Sequence, residues 1–258
     1  MSVLRADEPT PAEVLRAEGG ARFLLTADHA GRMIPRALGD LGVSAAELER
    51  HIAWDIGIAG VTRRLSALLD APAVLQRYSR LVIDCNRPEA AEGAFPVISE
   101  ATAIPGNEGL GAVAKAARRA AIFAPYHAAI ERLIEARGRV VYVAMHSFTP
   151  VYCGVARPMH VAVLYHRYPG FSRALAKLLR AEPGLVVAEN EPYRVSDESD
   201  YGVPVHAERR GLDYAEIEIR QDLIQDDAGQ AEWAARLARL LPLAAARLGE
   251  IKPETKKE

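Results

Sequence analysis

Two short apolar runs, each closed by a histidine, constrain this chain more than any other feature. ArgPheLeuLeuThrAlaAsp runs into His29 before Ala30-Gly31, and ValValTyrValAlaMet runs into His146 before Ser147-Phe148-Thr149-Pro150. Runs this short, apolar and β-prone read as buried strands that stop at a turn. Further strands are expected at 80–84, 160–165, 185–188 and 213–220. Helical periods fall between them. One starts at a Ser44/Glu47 capping box and passes through Ile52, Ile56, Val61, Leu65 and Leu68 to Pro72. Others cover 110–137, interrupted at Pro125, then 172–180, and an amphipathic tail over 228–248. Strands alternating with helices, several of them apolar on both faces, predict an α/β fold: a three-layer α/β/α domain with a mixed, largely parallel sheet, spanning 1–258 as one unit. In open sheets of that kind sites form at the carboxyl ends of strands, so the two imidazoles are expected to share a crevice.

Composition narrows the function by exclusion. Half of the 258 residues are hydrophobic, enough for a sizeable core. A net charge of −2, without a basic cluster interleaved with aromatics, speaks against nucleic acid. No apolar run is long enough to cross a bilayer, and the polar first residues do not read as a signal peptide, so a cytoplasmic protein is expected. Cys85 and Cys153 form neither a metal-ligand spacing nor a disulfide framework and read as reduced thiols. The stretch from Pro88 to Gly109 is irregular; a loop of that length inside a compact domain is expected to be functional, for instance as a lid. The polar end, 252–258, is expected to fray.

The strand at 213–220 carries an unusual pattern. Period two places Tyr214, Glu216, Glu218 and Arg220 on one face. That face reads equally as a solvated edge or as a glutamate general base over a site. A catalytic zinc takes three protein ligands and a water. His29 and His146 would need a carboxylate from among Asp28, Asp55 and Asp84. Asp28 should point away from its neighbour His29, and Asp84 could pair with an arginine. Asp55, near a helix start, is preferred. Arg77, Arg80, Arg87, Arg157 and Arg194 fall at strand ends or in turns. Of these, Arg87 beside Asn86 is placed to grip a carboxylate with its two-pronged guanidinium. A metal with such a clamp suggests a small acidic amide as substrate. His51, His127, His160, His166 and His206 read as structural.

Six blocks then stand in order: LeuLeuThrAlaAspHisAlaGlyArgMetIlePro at 24–35, HisIleAlaTrpAspIleGly at 51–57, SerArgLeuValIleAspCysAsnArgPro at 79–88, MetHisSerPheThrPro at 145–150, AsnGluProTyr at 190–193 and GluIleGluIleArgGlnAspLeuIle at 216–224. Together they resemble the N-formylglutamate amidohydrolase family over nearly the whole chain. The resemblance implies a fold similar to that of the zinc carboxypeptidases. Met145–Phe148 looks like their third zinc-ligand segment, Ile217–Arg220 like their catalytic-glutamate strand, and Asn86-Arg87 like their carboxylate-binding pair. The chain departs from their His-x-x-Glu motif, since Arg32 stands three residues after His29, and Asp55 is the substitute ligand. The implied activity is hydrolysis of N-formyl-L-glutamate to formate and L-glutamate, a step in histidine breakdown. It would use one divalent ion, expected to be zinc, with Glu218 as base and Arg77 or Arg80 at the oxyanion. Asn86 and Arg87 would orient the substrate's α-carboxylate. Two rivals remain: a carboxypeptidase-like hydrolase of other N-acyl amino acids or small peptides, and a non-catalytic protein that binds an acidic ligand.

Overall fold

A computed structural model describes residues 3–248; the polar end 252–258, expected to fray, lies outside them. Seven strands form one sheet: β1 (Ala12–Leu15), β2 (Phe23–Ala27), β3 (Ala73–Gln76), β6 (Val141–Phe148), β9 (Val161–Leu164), β10 (Val187–Glu189) and β11 (Tyr214–Arg220), in the order β1-β3-β2-β6-β11-β9-β10. Two hairpins, β4–β5 (Ile98–Ser99 with Thr102–Ala103) and β7–β8 (Val151–Tyr152 with Val155–Ala156), stand apart from it. The four central strands β3, β2, β6 and β11 run parallel; β1 is antiparallel to β3, and β9 to β11. The fold is therefore α/β with a mixed, mostly parallel sheet.

Both faces are covered, which explains why the strands are apolar on both sides. On one face Leu25, Val143, Met145, Val163 and Ile217 pack with α2 (Ile58–Leu69), α5 (Gly170–Arg180) and α6 (Asp227–Leu248). On the other, Leu24, Val74, Tyr142 and Tyr214 pack with α4 (Ala124–Arg137) and with irregular chain around 78–85 and 195–212. Helices on a parallel sheet leave its carboxyl edge open, and β2, β6 and β11 are neighbours there. No described helix is long and apolar enough to cross a membrane.

Four local expectations are corrected. The strand expected at 80–84 is displaced to β3; residues 80–84 form buried turns. Their backbone is satisfied without a ladder: Leu81 N–H donates to Ser79 Oγ, Leu81 C=O accepts from Asn107, and Val82 C=O accepts from Arg118. A short apolar run looks the same in either setting. The helix expected from Ser44 to Pro72 is two helices. Ser44 caps α1 (Ala45–Leu48) by accepting from Glu47 N–H, and α2 begins only after Gly57. The irregularity in 110–137 lies not at Pro125, which sits harmlessly in the first turn of α4, but in a π-turn at Arg119–Phe123 after α3 (Ala112–Arg118). Finally, His146 lies inside β6 rather than at its end, while His29 sits two residues beyond β2.

The stretch 88–109 is not a structureless lid. It holds the β4–β5 hairpin and is pinned by Asn107, which donates to the Leu81 and Pro96 carbonyls and accepts from Arg118. The two thiols are free, Cys85 buried and Cys153 exposed.

Candidate active site

Parallel pairing of adjacent strands brings the histidines together. β6 is flanked by β2 and β11, with Glu218 in register beside His146. The imidazoles of His29 and His146 lie 5.1 Å apart, ring centre to ring centre, at 67°. The break between α1 and α2 supplies the third group. Asp55 N–H donates to His29 C=O at 2.9 Å, and Ser147 N–H donates to Asp55 Oδ2 at 3.1 Å, fixing that carboxylate between the two strands. Gly57 allows the turn: its φ is +81°, and a Cβ there would lie 2.0 Å from the Ile224 carbonyl oxygen.

Asp55 Oδ2 lies 3.2 Å from His146 Nδ1 and 3.6 Å from His29 Nδ1. Among the described residues these three offer ligand atoms all within 4.8 Å of one another. The far edge of each ring faces another carboxylate. His29 Nε2 bonds Asp84 Oδ1 at 2.7 Å, and His146 Nε2 lies 3.5 Å from Asp28 Oδ2. Asp28 does point away from His29, as alternation requires, but it reaches His146 from behind, its other oxygen accepting from Tyr126 at 2.6 Å. Outer carboxylates of this kind orient imidazole ligands and raise their basicity. His29 Nδ1 is buried without a hydrogen-bond partner, as are one oxygen each of Asp28, Glu216 and Glu218. Two imidazole nitrogens and a carboxylate oxygen facing one point suit a divalent ion, and the unpartnered nitrogen leaves room for it.

The charges are strongly coupled. Burial alone would lower both imidazole pKa values, and Arg80 lowers that of His29 further; the facing carboxylates reverse this, so His29 is raised and His146 raised well above its ordinary value. Burial would raise Asp55 and Asp84, yet the histidines, with Arg80 in the case of Asp84, hold both below the usual carboxylate range. An ion would therefore displace protons from the imidazoles. Glu218 is different. Burial dominates and pushes its carboxyl up to about 7, poised for proton exchange near neutrality. Glu216 is raised well above its ordinary value by burial and by Asp200. The solvated-edge alternative for this strand does not hold, because β11 is interior and Glu216 and Glu218 are only 3% and 6% exposed.

The cleft above this cluster has a volume of about 520 Å³ and is lined by His29, Asp55, His146 and Glu218 together with Arg80, Asn86 and Arg87. Arg80 bridges Asp84 at 2.9 Å and Asp55 at 3.3 Å. Arg87 is held by the Ser199 carbonyl, 4.0 Å from Asp84. The Asn86 amide is already engaged: its oxygen accepts from Tyr201 and Gly202 N–H, and its nitrogen donates to Asp200. Arg77 is directed elsewhere, its guanidinium donating to Thr10 and to the Ala12 carbonyl, where it ties the chain's start to the sheet. His51, read as structural, also lines the cleft, 3.5 Å from Glu100. His127 and His206 are buried partners. His127 Nε2 donates to Cys85 C=O, so its Nδ1 accepts from His206 Nε2 at 2.8 Å. Sequence reasoning missed Glu216, Tyr193 and Asp200 as lining residues; for Glu216 the signal was its place on the face of Glu218.

No curated protein matches the chain. The solved structure of a gene product from Agrobacterium tumefaciens is 36% identical, with 96% of this chain and 99% of that one covered and a TM-score of 0.92. That of an N-formylglutamate amidohydrolase from Ralstonia eutropha JMP134 is 20% identical, covers 94% of this chain and 100% of its own, and at a TM-score of 0.67 shares the fold. The family model for N-formylglutamate amidohydrolase matches residues 21–225, a span that holds every residue of the cleft named above. The chain belongs to the N-formylglutamate amidohydrolase family and is, as a member, a hydrolase of amide bonds.

Proposed function

We propose that the cleft hydrolyses the amide of a small acidic N-acyl amino acid, N-formyl-L-glutamate or a relative of it, to the free acid and the amino acid. The observation that carries this reading is a three-donor cradle and a carboxyl of raised pKa lining one cleft. His29 and His146 through Nδ1, and Asp55 through Oδ2, would hold one divalent ion, zinc being the expectation for a mixed imidazole and carboxylate set. Such an ion supplies Lewis acidity to a water and to the amide carbonyl when bound. The chain's own groups do the rest. Glu218 takes a proton from the attacking water and returns it to the leaving nitrogen as the C–N bond breaks. Asp84 and Asp28 hold the imidazoles by their outer edges. Arg80 faces the developing oxyanion. Arg87 receives the substrate carboxylate, with Asn86 holding the 200–202 turn that walls its site. The family resemblance would set the reaction in cytoplasmic histidine breakdown.

Metal analysis and a substrate panel test this together. The purified protein should carry about one zinc per chain, lose it in His146→Ala, and release formate from N-formyl-L-glutamate. Unchanged zinc in His146→Ala, or turnover that survives full chelation, would refute the cradle.

A further inference from the structure

The cleft is larger than the substrate just named. N-formylglutamate has about a dozen heavy atoms, which fill roughly 200 Å³ at interior packing density. The cavity, at about 520 Å³, is more than twice that. Its mouth is bounded in part by the two hairpins β4–β5 and β7–β8, which meet where Cys153 N–H points at Glu100 Oε1, 3.5 Å away. Glu100 is paired with Arg50 in turn, which fixes the hairpins in place. Ile98 and Tyr152 project from them into the same cavity as His29, His146 and Glu218, yet are 64% and 39% exposed. Val155, which stands across the hairpin from Tyr152, is exposed as well. The aromatic edge is braced: Arg157 lies 4.8 Å from the Tyr152 ring centre and 5.1 Å from that of Tyr193, and donates to Tyr193 Oη at 3.0 Å.

Arg87 and Arg194 also line the cleft and suit a carboxylate. The hairpins contribute Ile98, Ser99, Glu100 and Tyr152 to the lining; the cations nearest them are engaged, Arg50 with Glu100 and Arg157 with the Tyr152 and Tyr193 rings, so the surface left to a ligand there is the apolar one of Ile98 and Tyr152. A formyl group ends at its carbonyl carbon and would leave Ile98 and Tyr152 in water. Exposed apolar side chains grouped at the mouth of a cleft mark a binding surface. We propose that this apolar side is an acyl subsite and that the preferred substrate is an N-acyl amino acid whose acyl group is a medium-length aliphatic chain. The proposal rests on the amide-hydrolase reading above. In the reaction the water oxygen adds to the acyl carbon, the C–N bond breaks, and the nitrogen takes both of the water's protons, giving an aliphatic carboxylate and the amino acid with its ammonium group.

The test compares kcat/KM of the zinc-loaded full chain on N-hexanoyl-L-glutamate and N-formyl-L-glutamate. Each methylene buried is worth about fourfold, so several at a partly open mouth should favour the hexanoyl substrate by about tenfold. Ile98→Ser should cut that ratio at least ~threefold. Both substrates are read on the same protein, so a loss of folded fraction cancels. A ratio at or below unity, or one that Ile98→Ser leaves untouched, overturns the acyl subsite while the amidase reading stands. Hydrolysis of neither substrate overturns the reading beneath it as well.

Discussion

Asp84→Asn is the sharpest probe of how the cradle is held. The Asp84 carboxylate is 4% exposed and receives three donors: His29 Nε2 at 2.7 Å and Asn86 N–H at 2.9 Å on one oxygen, Arg80 at 2.9 Å on the other. Asparagine is nearly isosteric but has one acceptor oxygen and an amide that only donates. If the oxygen stays on His29, the amide faces the Arg80 guanidinium, donor against donor. If it flips, His29 loses its orienting partner. Either arrangement forfeits a charge-assisted bond worth about 1.5–3 kcal/mol in a buried setting, roughly 10- to 150-fold in an equilibrium constant. Loss of an outer-shell partner to a ligand histidine weakens metal binding by about 10- to 100-fold, the same range. The Kd for zinc, measured by competition with a chromogenic chelator near neutral pH, should rise by that factor while the circular dichroism spectrum is preserved. A Kd within about twofold of the parent protein would show that the Asp84–His29 contact does not orient the ligand, and the account of the cradle would fail.

Three further outcomes follow from the same geometry. Glu218→Gln should keep its zinc yet lose about 10²- to 10⁴-fold in kcat; near-normal turnover would place the base elsewhere. Gly57→Ala must place a Cβ 2.0 Å from a carbonyl oxygen at a φ of +81°, so a large fall in Tm and loss of zinc are expected, and an unchanged Tm would contradict the turn described. The buried pair His127 and His206 gives a pH signature. Burial holds them at about 4 and about 3, against 6.5 for a free imidazole, so the folded state resists protonation that the unfolded chain accepts. Their folded pKa values are depressed, so stability is intact above about pH 6.5 and falls as pH drops toward 4. At about pH 5 each costs about 2 kcal/mol. Urea unfolding of the parent and the His127→Gln/His206→Gln double variant should therefore show a stability difference that shifts by about 4 kcal/mol between about pH 7.5 and pH 5, and parallel curves would refute the assignment.

Much of the site could be read before the fold was known, though not for the reasons first apparent. His29 and His146 stood out because they close apolar runs, yet His146 lies within its strand. What unites them is that β2 and β6 are parallel neighbours, which period and composition do not encode. Arg77 and Arg80 looked alike in the chain; only Tyr78 and Ser79 separate a guanidinium tied to Thr10 from one between Asp55 and Asp84. The run 80–84 was apolar enough for a strand, but its backbone bonds go to Ser79, Asn107 and Arg118, partners that folding alone supplies.

The sequence by itself determined the α/β class, the N-cap at Ser44, the pairing of Glu216 with Glu218 on one strand face and the two histidines. Each of these follows from local periodicity or local hydrogen bonding, which a linear pattern carries. Only the tertiary structure decided that β11 is interior, that Asp55 enters through a broken helix, that Asp84 serves both His29 and Arg80, and that two hairpins rim the cleft with apolar side chains. Those outcomes depend on strand order and on contacts between residues far apart in the chain. Burial, charge coupling and cavity size arise only when such residues meet.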